Sequence, residues 1–164
     1  MMISRRAMMA GLGLVALSAC SSKFKTYNGP EVTRVQVFKG KRQLQLLHHN
    51  VLLKAYAFEL GFAPTGHKAF EGDGRTPEGS YIIDRKNPDS RYHLSVGISY
   101  PNADDIAYAV AHGTSPGGDI FIHGTPNPFS GQDDWTWGCI AVTNAEIEEI
   151  YAMVNEGTLI TIYP

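Results

Sequence analysis

Short segments of alternating hydrophobic and polar residues recur along this chain, and this pattern predicts β-strands. Residues 32–38 and 43–46 show it most clearly, and Gly40 and Lys41 between them are typical turn residues, so the two segments predict a hairpin. Further strands are predicted at 51–60, 80–84, 92–99, 119–123 and 159–163. Strands therefore follow one another with little helix between them, which is typical of a mainly β domain.

Helical signals occur in two places. Asp104 and Asp105 put acids in the first turn of a short apolar segment that ends before Gly113. Thr143 and Glu146 match a capping box, and the apolar residues after them are spaced three or four apart, which predicts a second helix. The predicted fold class is a β-sandwich or open barrel with one or two helices packed on it.

A long loop is predicted at residues 61–79, which are rich in glycine and proline and poor in large apolar side chains. Loops that a rigid scaffold supports often carry binding residues. The loop is therefore a candidate functional surface, and His67 within it is a candidate to contact a ligand.

Composition narrows the class of protein. The 164 residues are enough for one compact domain, and 43% hydrophobic with 18% charged residues excludes disorder for the body of the chain. The 14 Lys and Arg residues face 16 Asp and Glu residues, and no basic cluster occurs in the body, which argues against nucleic acid as a partner.

The first residues have the composition of an export signal. Arg5 and Arg6 precede an apolar run at 7–19 that is too short to span a bilayer as a stable helix. Paired arginines fit either the general secretory route or the twin-arginine route. We therefore expect residues 1–19 to be a signal peptide that is removed on export.

Cys20 directly follows a Leu-Ser-Ala sequence, and this order resembles the lipobox at which bacterial lipoprotein precursors are cleaved and acylated. The resemblance implies a lipid on Cys20, a tether at 20–31 and a folded domain at 32–164. It also implies a periplasmic protein anchored in a membrane, with the outer membrane favoured because no Asp follows Cys20. An ordinary signal peptide cut near a chance cysteine is the alternative.

Candidate chemistry is concentrated between His123 and Cys139. His123 ends a short apolar strand and precedes Gly124, whereas Cys139 follows Gly138. An unperturbed thiol has a pKa near 8.5, so a histidine beside it would supply the base that makes it a nucleophile at neutral pH. The amides of Gly138 and Cys139 would then face a developing oxyanion. A buried, inert thiol is the alternative.

Three motifs in this order resemble the YkuD-type L,D-transpeptidase catalytic domain of bacterial cell-wall enzymes. They are His-Gly-Thr at 123–125, Thr-Trp-Gly-Cys-Ile at 136–140, and the upstream loop Gly-Asp-Gly-Arg-Thr-Pro-Glu-Gly at 72–79. The likeness spans residues 32–164, which is nearly the whole chain after the predicted signal and tether.

This resemblance implies a β-sandwich enzyme without a cofactor that forms a thioester with a peptidoglycan stem peptide and passes the acyl group to an amine. Cys139 would be the nucleophile, His123 the general base, and the backbone carbonyl of Gly124 would orient the imidazole. The form of the motif also resembles a branch that includes a hydrolase detaching a lipoprotein from peptidoglycan. A peptidoglycan-linked lipoprotein is therefore an alternative substrate, and a non-catalytic wall-binding lipoprotein is a third possibility.

Substrate contacts are harder to assign. The family usually has Ser where Thr136 stands, and usually has Arg where this chain has Ala141. Arg75 is therefore a candidate to bind a stem carboxylate, because guanidinium pairs bidentately with carboxylate. His67, Thr136 and Trp137 are further candidates to line the substrate site.

No metal site is predicted. His48, His49, His67 and His93 have irregular spacing, and neither a second thiol nor an acidic cluster accompanies them.

Overall fold

A computed structural model describes residues 22–164 of the protein. The predicted signal peptide at 1–19 and the predicted lipidation site Cys20 lie outside the described residues. Within residues 22–164, no helix is both long enough and apolar enough to cross a membrane.

The described residues form eight strands, two α-helices and one 3₁₀ turn. In chain order these are β1 (Arg34–Phe38), β2 (Gln43–His48), β3 (Val51–Ala57), β4 (Gly79–Asn87), β5 (Ser95–Ile98), α1 (Ala103–Ala111), β6 (Phe121–His123), the 3₁₀ turn (Asn127–Phe129), β7 (Ile140–Ala141), α2 (Asn144–Met153) and β8 (Leu159–Tyr163). The predicted β1–β2 hairpin and the long loop before β4 are therefore both present.

The strands join into one curled sheet in the order β3-β2-β1-β8-β4-β5-β6-β7. The pairs β1–β8 and β6–β7 are parallel, and the other neighbours are antiparallel. Just beyond β3, Glu59 bridges Ala141 of β7, so the two ends of the sheet meet. The prediction of a mainly β domain of the sandwich or open-barrel class with one or two packed helices is confirmed, and the structure has two.

Alternation along the strands explains where the core lies. Val35 and Val37 of β1 are fully buried, as are Leu44 and Leu46 of β2, while the residues between them are partly exposed. Burying one such aliphatic side chain contributes roughly 1.5–3 kcal/mol. The apolar face of α2 packs against β5 and β6, so the helix covers the part of the sheet that carries His123.

Both helices start with capping boxes. Thr143 caps α2 through the Glu146 N–H, as the sequence predicts. At α1 the cap is Asn102, whose side chain accepts from the amides of Asp104 and Asp105, while the Asp105 carboxylate accepts from the Asn102 N–H. The acids of the first turn of α1 were predicted from the sequence, whereas the cap at Asn102 was not.

Candidate active site

Strand pairing brings His123 and Cys139 together. Parallel pairing of β6 with β7 sets Ile122 opposite Ile140 and His123 opposite Ala141, and Cys139 lies one residue before Ile140. Because side chains alternate along a strand, Phe121 and His123 project to one face of β6. The short separation along both strands places the imidazole and the thiol in the same cleft.

This cleft, called here the thiol cleft, has a volume of about 550 Å³. It is lined by the last residue of β4, the β4–β5 connection, the first residue of β5, the segment before β6, two residues of β6 and the cysteine: Asn87, Asp89, Ser90, Arg91, Tyr92, Ser95, Asp119, Phe121, His123 and Cys139.

His123 is held in one orientation. Its side chain is buried, and its Nδ1 lies 2.7 Å from the Gly124 carbonyl oxygen, so Nδ1–H donates to that carbonyl in the neutral tautomer. The Tyr92 ring stacks on the imidazole at 4.4 Å between centroids, and the Trp135 ring meets it edge-on at 5.6 Å. The tautomer leaves the Nε2 lone pair to accept a proton.

Burial keeps both groups of the pair uncharged at neutral pH. Desolvation lowers the pKa of His123 to about 4, although the Gly124 carbonyl opposes this shift. Burial raises the pKa of the Cys139 thiol to about 11; the Phe121 backbone contact opposes the rise, the Asp119 carboxylate adds to it, and Lys68 opposes it. The resting pair is therefore thiol and imidazole, and a nucleophilic thiolate would form only as the proton moves to His123.

A backbone carbonyl positions the thiol. Cys139 Sγ lies 3.5 Å from the carbonyl oxygen of Asp119, a residue with a φ of +55°. The Asp119 carboxylate is 3.1 Å from Arg85 Nη2, and the Arg85 guanidinium lies 4.5 Å from the centroid of the Phe121 ring. Arg85 and Phe121 therefore hold the segment whose carbonyl meets the sulfur.

The turn before Cys139 requires glycine at 138. Gly138 has a φ of +116°, and a Cβ there would lie 2.4 Å from the Arg75 carbonyl oxygen. Thr76 fastens the turn from the other side, because its hydroxyl donates to the Gly138 carbonyl at 2.8 Å. The loop that leads to β4 thus packs directly on the turn that presents the thiol.

Thr136 belongs to this turn and does not line the thiol cleft as predicted. Its buried hydroxyl donates to the Cys139 carbonyl at 2.7 Å and accepts from the Gly138 N–H at 3.2 Å. That second contact also engages one of the two amides predicted to face an oxyanion. The Cys139 N–H is therefore the amide we expect to serve there.

His67 and Arg75 do not line the thiol cleft. They line a second cleft of about 490 Å³ together with Lys68, Asp104 and Asp105. His67 is engaged at both ring nitrogens, because Nε2 is 3.0 Å from the Asp105 carboxylate and Nδ1 accepts from the Glu78 N–H at 3.0 Å. Its contacts tie the loop to α1, which is why it does not reach the thiol cleft.

The tryptophans also differ from expectation. Trp137, predicted as a substrate contact, is 71% exposed and packs edge-on against Phe62, outside the thiol cleft. Trp135 instead contacts His123. Tyr92, Asp119 and Arg91 were not predicted as cleft residues, because no local motif marks them and the β4–β5 and β5–β6 connections bring them to the cleft.

No group of three or more His, Cys, Asp or Glu side chains arranged to hold a metal occurs among residues 22–164. His93, for example, has its Nε2 2.8 Å from the Glu148 carboxylate.

Known proteins are similar to this chain in sequence and in fold. The sequence model of the YkuD family, the L,D-transpeptidase catalytic domain, matches residues 32–162. A curated relative from Escherichia coli K12, named as a putative L,D-transpeptidase YafK, is 35% identical over 127 residues, which cover 74% of this chain and 46% of the relative. The chain spans about half the length of the curated relatives it matches.

Solved structures agree on the fold. The helical cell shape determining protein Pgp2 from Campylobacter jejuni is 28% identical in its K307A form, with a TM-score of 0.64 over 83% of this chain and 48% of that one. An L,D-transpeptidase from Mycobacterium smegmatis is 15% identical, with a TM-score of 0.55 over 81% of this chain and 59% of that one. The latter likeness concerns the fold alone.

Proposed function

The chain belongs to the L,D-transpeptidase catalytic domain family, and we propose that it is an exported cysteine acyltransferase that acts on peptidoglycan stem peptides. Residues 1–19 would direct export, and a lipid on Cys20 would hold the domain at the periplasmic face of a membrane, the outer one being favoured. The cell wall would then lie within reach of a short tether.

One observation carries the proposal: His123 and Cys139 line the same cleft, and the Gly124 carbonyl orients the imidazole through Nδ1. A base of this kind has its accepting nitrogen free, and its low pKa keeps that nitrogen unprotonated across the physiological range. A cysteine whose pKa is raised by burial needs such a partner to react at all.

The reaction proceeds in two halves. In the first, the Cys139 proton passes to His123 Nε2 as the sulfur attacks the carbonyl carbon of the stem peptide. The Cys139 N–H stabilises the tetrahedral oxyanion, and His123 returns the proton to the leaving amine, which gives a thioester. In the second half, an acceptor amine loses a proton to His123, attacks the thioester and releases the thiol.

The same acyl-enzyme would react with water if no amine were bound, and that outcome would give a hydrolase. Both reactions use the same first half, so the acceptor alone distinguishes them. The similarity to Pgp2, which is named a helical cell shape determining protein, supports a role in cell shape for this chain.

The proposal is tested with the full chain, purified in detergent and incubated with tetrapeptide muropeptides in the presence of a free D-amino acid. We expect mass spectrometry to detect exchange of the terminal residue and an acyl adduct on Cys139. Cys139→Ala and His123→Gln are the controls, and both should form no product.

Detection of hydrolysed stem peptides without any exchange product would show that the chain is a hydrolase and not a transferase. Peptidoglycan carrying a bound lipoprotein is a second substrate in the same assay, and its release would identify the alternative substrate. Absence of any Cys139-dependent product would contradict the enzyme assignment and favour a wall-binding protein.

A further inference from the structure

The charged residues that line the thiol cleft differ in whether they have an ion-pair partner. Arg91 is the one Lys or Arg residue among the described residues that line it, alongside the acids Asp89 and Asp119. Asp119 is paired with Arg85 at 3.1 Å. Arg91 is exposed, and its guanidinium forms no ion pair or hydrogen bond with any of residues 22–164.

This sets Arg91 apart from most arginines of the described chain. Arg34 donates to Asn50, Arg42 pairs with Asp134, and Arg85 pairs with Asp84 and Asp119. Only Arg75 and Arg91 have guanidinium groups without a partner in the described part of the chain, and each lines a cleft. A guanidinium kept unpaired beside a cleft can bind an incoming anion without first breaking an internal ion pair.

The segment that carries Arg91 is fixed relative to the proposed base. The neighbouring Tyr92 stacks on the His123 ring at 4.4 Å, and its carbonyl accepts from the Gly124 N–H at 3.0 Å. On the following residue, His93 Nε2 is 2.8 Å from the Glu148 carboxylate of α2. The backbone at Arg91 is therefore anchored one residue away from a ring that touches the imidazole.

We propose that Arg91 binds a free carboxylate of the acyl donor in the thiol cleft and thereby selects donors that carry a carboxylate near the scissile carbonyl. The inference rests on the proposed function, which supplies a peptide donor. A carboxylate fits better than a phosphate monoester, because Asp89 and Asp119 on the same cleft repel a dianion more strongly than a monoanion.

Arg75 offers a matched control. It is exposed and unpaired like Arg91, but it lines the second cleft with His67 and Asp104. Arg91→Gln and Arg75→Gln remove the same charge from the two clefts, and Arg91→Lys restores the charge without the bidentate geometry.

The experiment compares a tetrapeptide donor with two analogues, one amidated at its C-terminal carboxylate and one amidated at the side-chain carboxylate of its diamino acid. For the wild-type chain, we expect one of the amidations to lower kcat/KM by about 10- to 100-fold, the loss for a charged hydrogen bond. Arg91→Gln should turn over that amide and the free acid at nearly equal rates, Arg91→Lys should discriminate partially, and Arg75→Gln should discriminate like the wild type.

Binding gives a readout that does not depend on turnover. Calorimetry with the Cys139→Ala chain should show tighter binding of the carboxylate donor than of the discriminated amide, and addition of Arg91→Gln should remove the difference. Discrimination that persists in Arg91→Gln, or that disappears only in Arg75→Gln, would overturn the inference while leaving the proposed function intact. If the wild-type chain turned over none of the three donor peptides, the proposed function itself would be overturned.

Discussion

The thiol cleft and the second cleft each contain one histidine, and the two histidines differ in the bonding of their ring nitrogens. His67 in the second cleft is engaged at both nitrogens, by the Asp105 carboxylate and the Glu78 N–H. His123 in the thiol cleft is engaged through Nδ1 alone, by a neutral carbonyl. A ring with both nitrogens bonded connects structural elements, whereas a buried ring with one free nitrogen can move a proton.

The largest expected effect tests this difference directly. His123→Gln and Cys139→Ala should each lower kcat/KM by about 10³-fold or more, because each removes a group from the proton transfer and attack. His67→Ala should mainly reduce stability, by about 1–3 kcal/mol, since it leaves the buried Asp105 carboxylate without that partner. Kinetics and urea unfolding of the three variants measure both effects. A loss of activity in His67→Ala as great as that in His123→Gln would break the comparison.

Stability should depend on pH through His123. The pKa of this group is about 4 in the folded chain against 6.5 unfolded, so the unfolded state binds more protons between these values. Stability is then fully present above pH 6.5 and falls as pH decreases through this window, by about 3 kcal/mol at pH 4. His123→Gln, which does not titrate, should lose this part of the dependence. Urea unfolding at pH 4 to 7 measures the unfolding free energy of both proteins. The same pH dependence in the wild type and in His123→Gln would contradict a buried, neutral His123.

The turn itself should be sensitive to a single methyl group. Gly138→Ala places a Cβ against the Arg75 carbonyl at a positive φ, and we expect a loss of about 2–3 kcal/mol in unfolding free energy. Gly72→Ala is the matched control, because Gly72 also has a positive φ but a Cβ there meets nothing within 4 Å; about 1 kcal/mol is expected. Equal losses in the two variants would show that the close approach at Gly138 contributes little.

The smallest effect concerns the electrostatics of the thiol. Asp119→Asn removes a carboxylate that raises the pKa of Cys139, whereas Lys68→Met removes a cation that lowers it. The rate of alkylation by iodoacetamide rises with pH as the thiol ionises. The midpoint of this pH profile should therefore move to lower pH in Asp119→Asn and to higher pH in Lys68→Met. Shifts of the same sign in both variants would exclude opposing effects of these charges.

Local patterns predicted much of the fold because their signals lie within a few residues. The β1–β2 hairpin follows from alternation on both sides of Gly40, and α2 follows from the Thr143–Glu146 box. The cap of α1 was not predicted, because the acidic residues that mark the first turn, Asp104 and Asp105, follow the capping residue Asn102. Tertiary contacts were not needed for any of these elements.

The surroundings of the thiol could be predicted only in part. A histidine at the end of a strand and a Gly-Cys pair indicate chemistry from sequence alone, and the structure brings His123 and Cys139 into one cleft. The direction of a loop side chain depends on what packs against it, so His67 was expected at the substrate site but bonds to α1 instead. Arg91 reaches the cleft through the packing of Tyr92 on His123, a contact that no spacing in the sequence encodes.

The bridge between Glu59 and Ala141 has a consequence for how the protein acquires a reactive centre. Glu59 and Ala141 exchange backbone hydrogen bonds of 2.8 and 2.9 Å, and they belong to parts of the chain that are far apart in sequence. Long-range pairing of this kind forms slowly because the intervening chain must first be ordered. Cys139 lies two residues before the bridge, so a chain whose sheet has not yet closed would lack the support of Glu59 on the strand that follows its nucleophile.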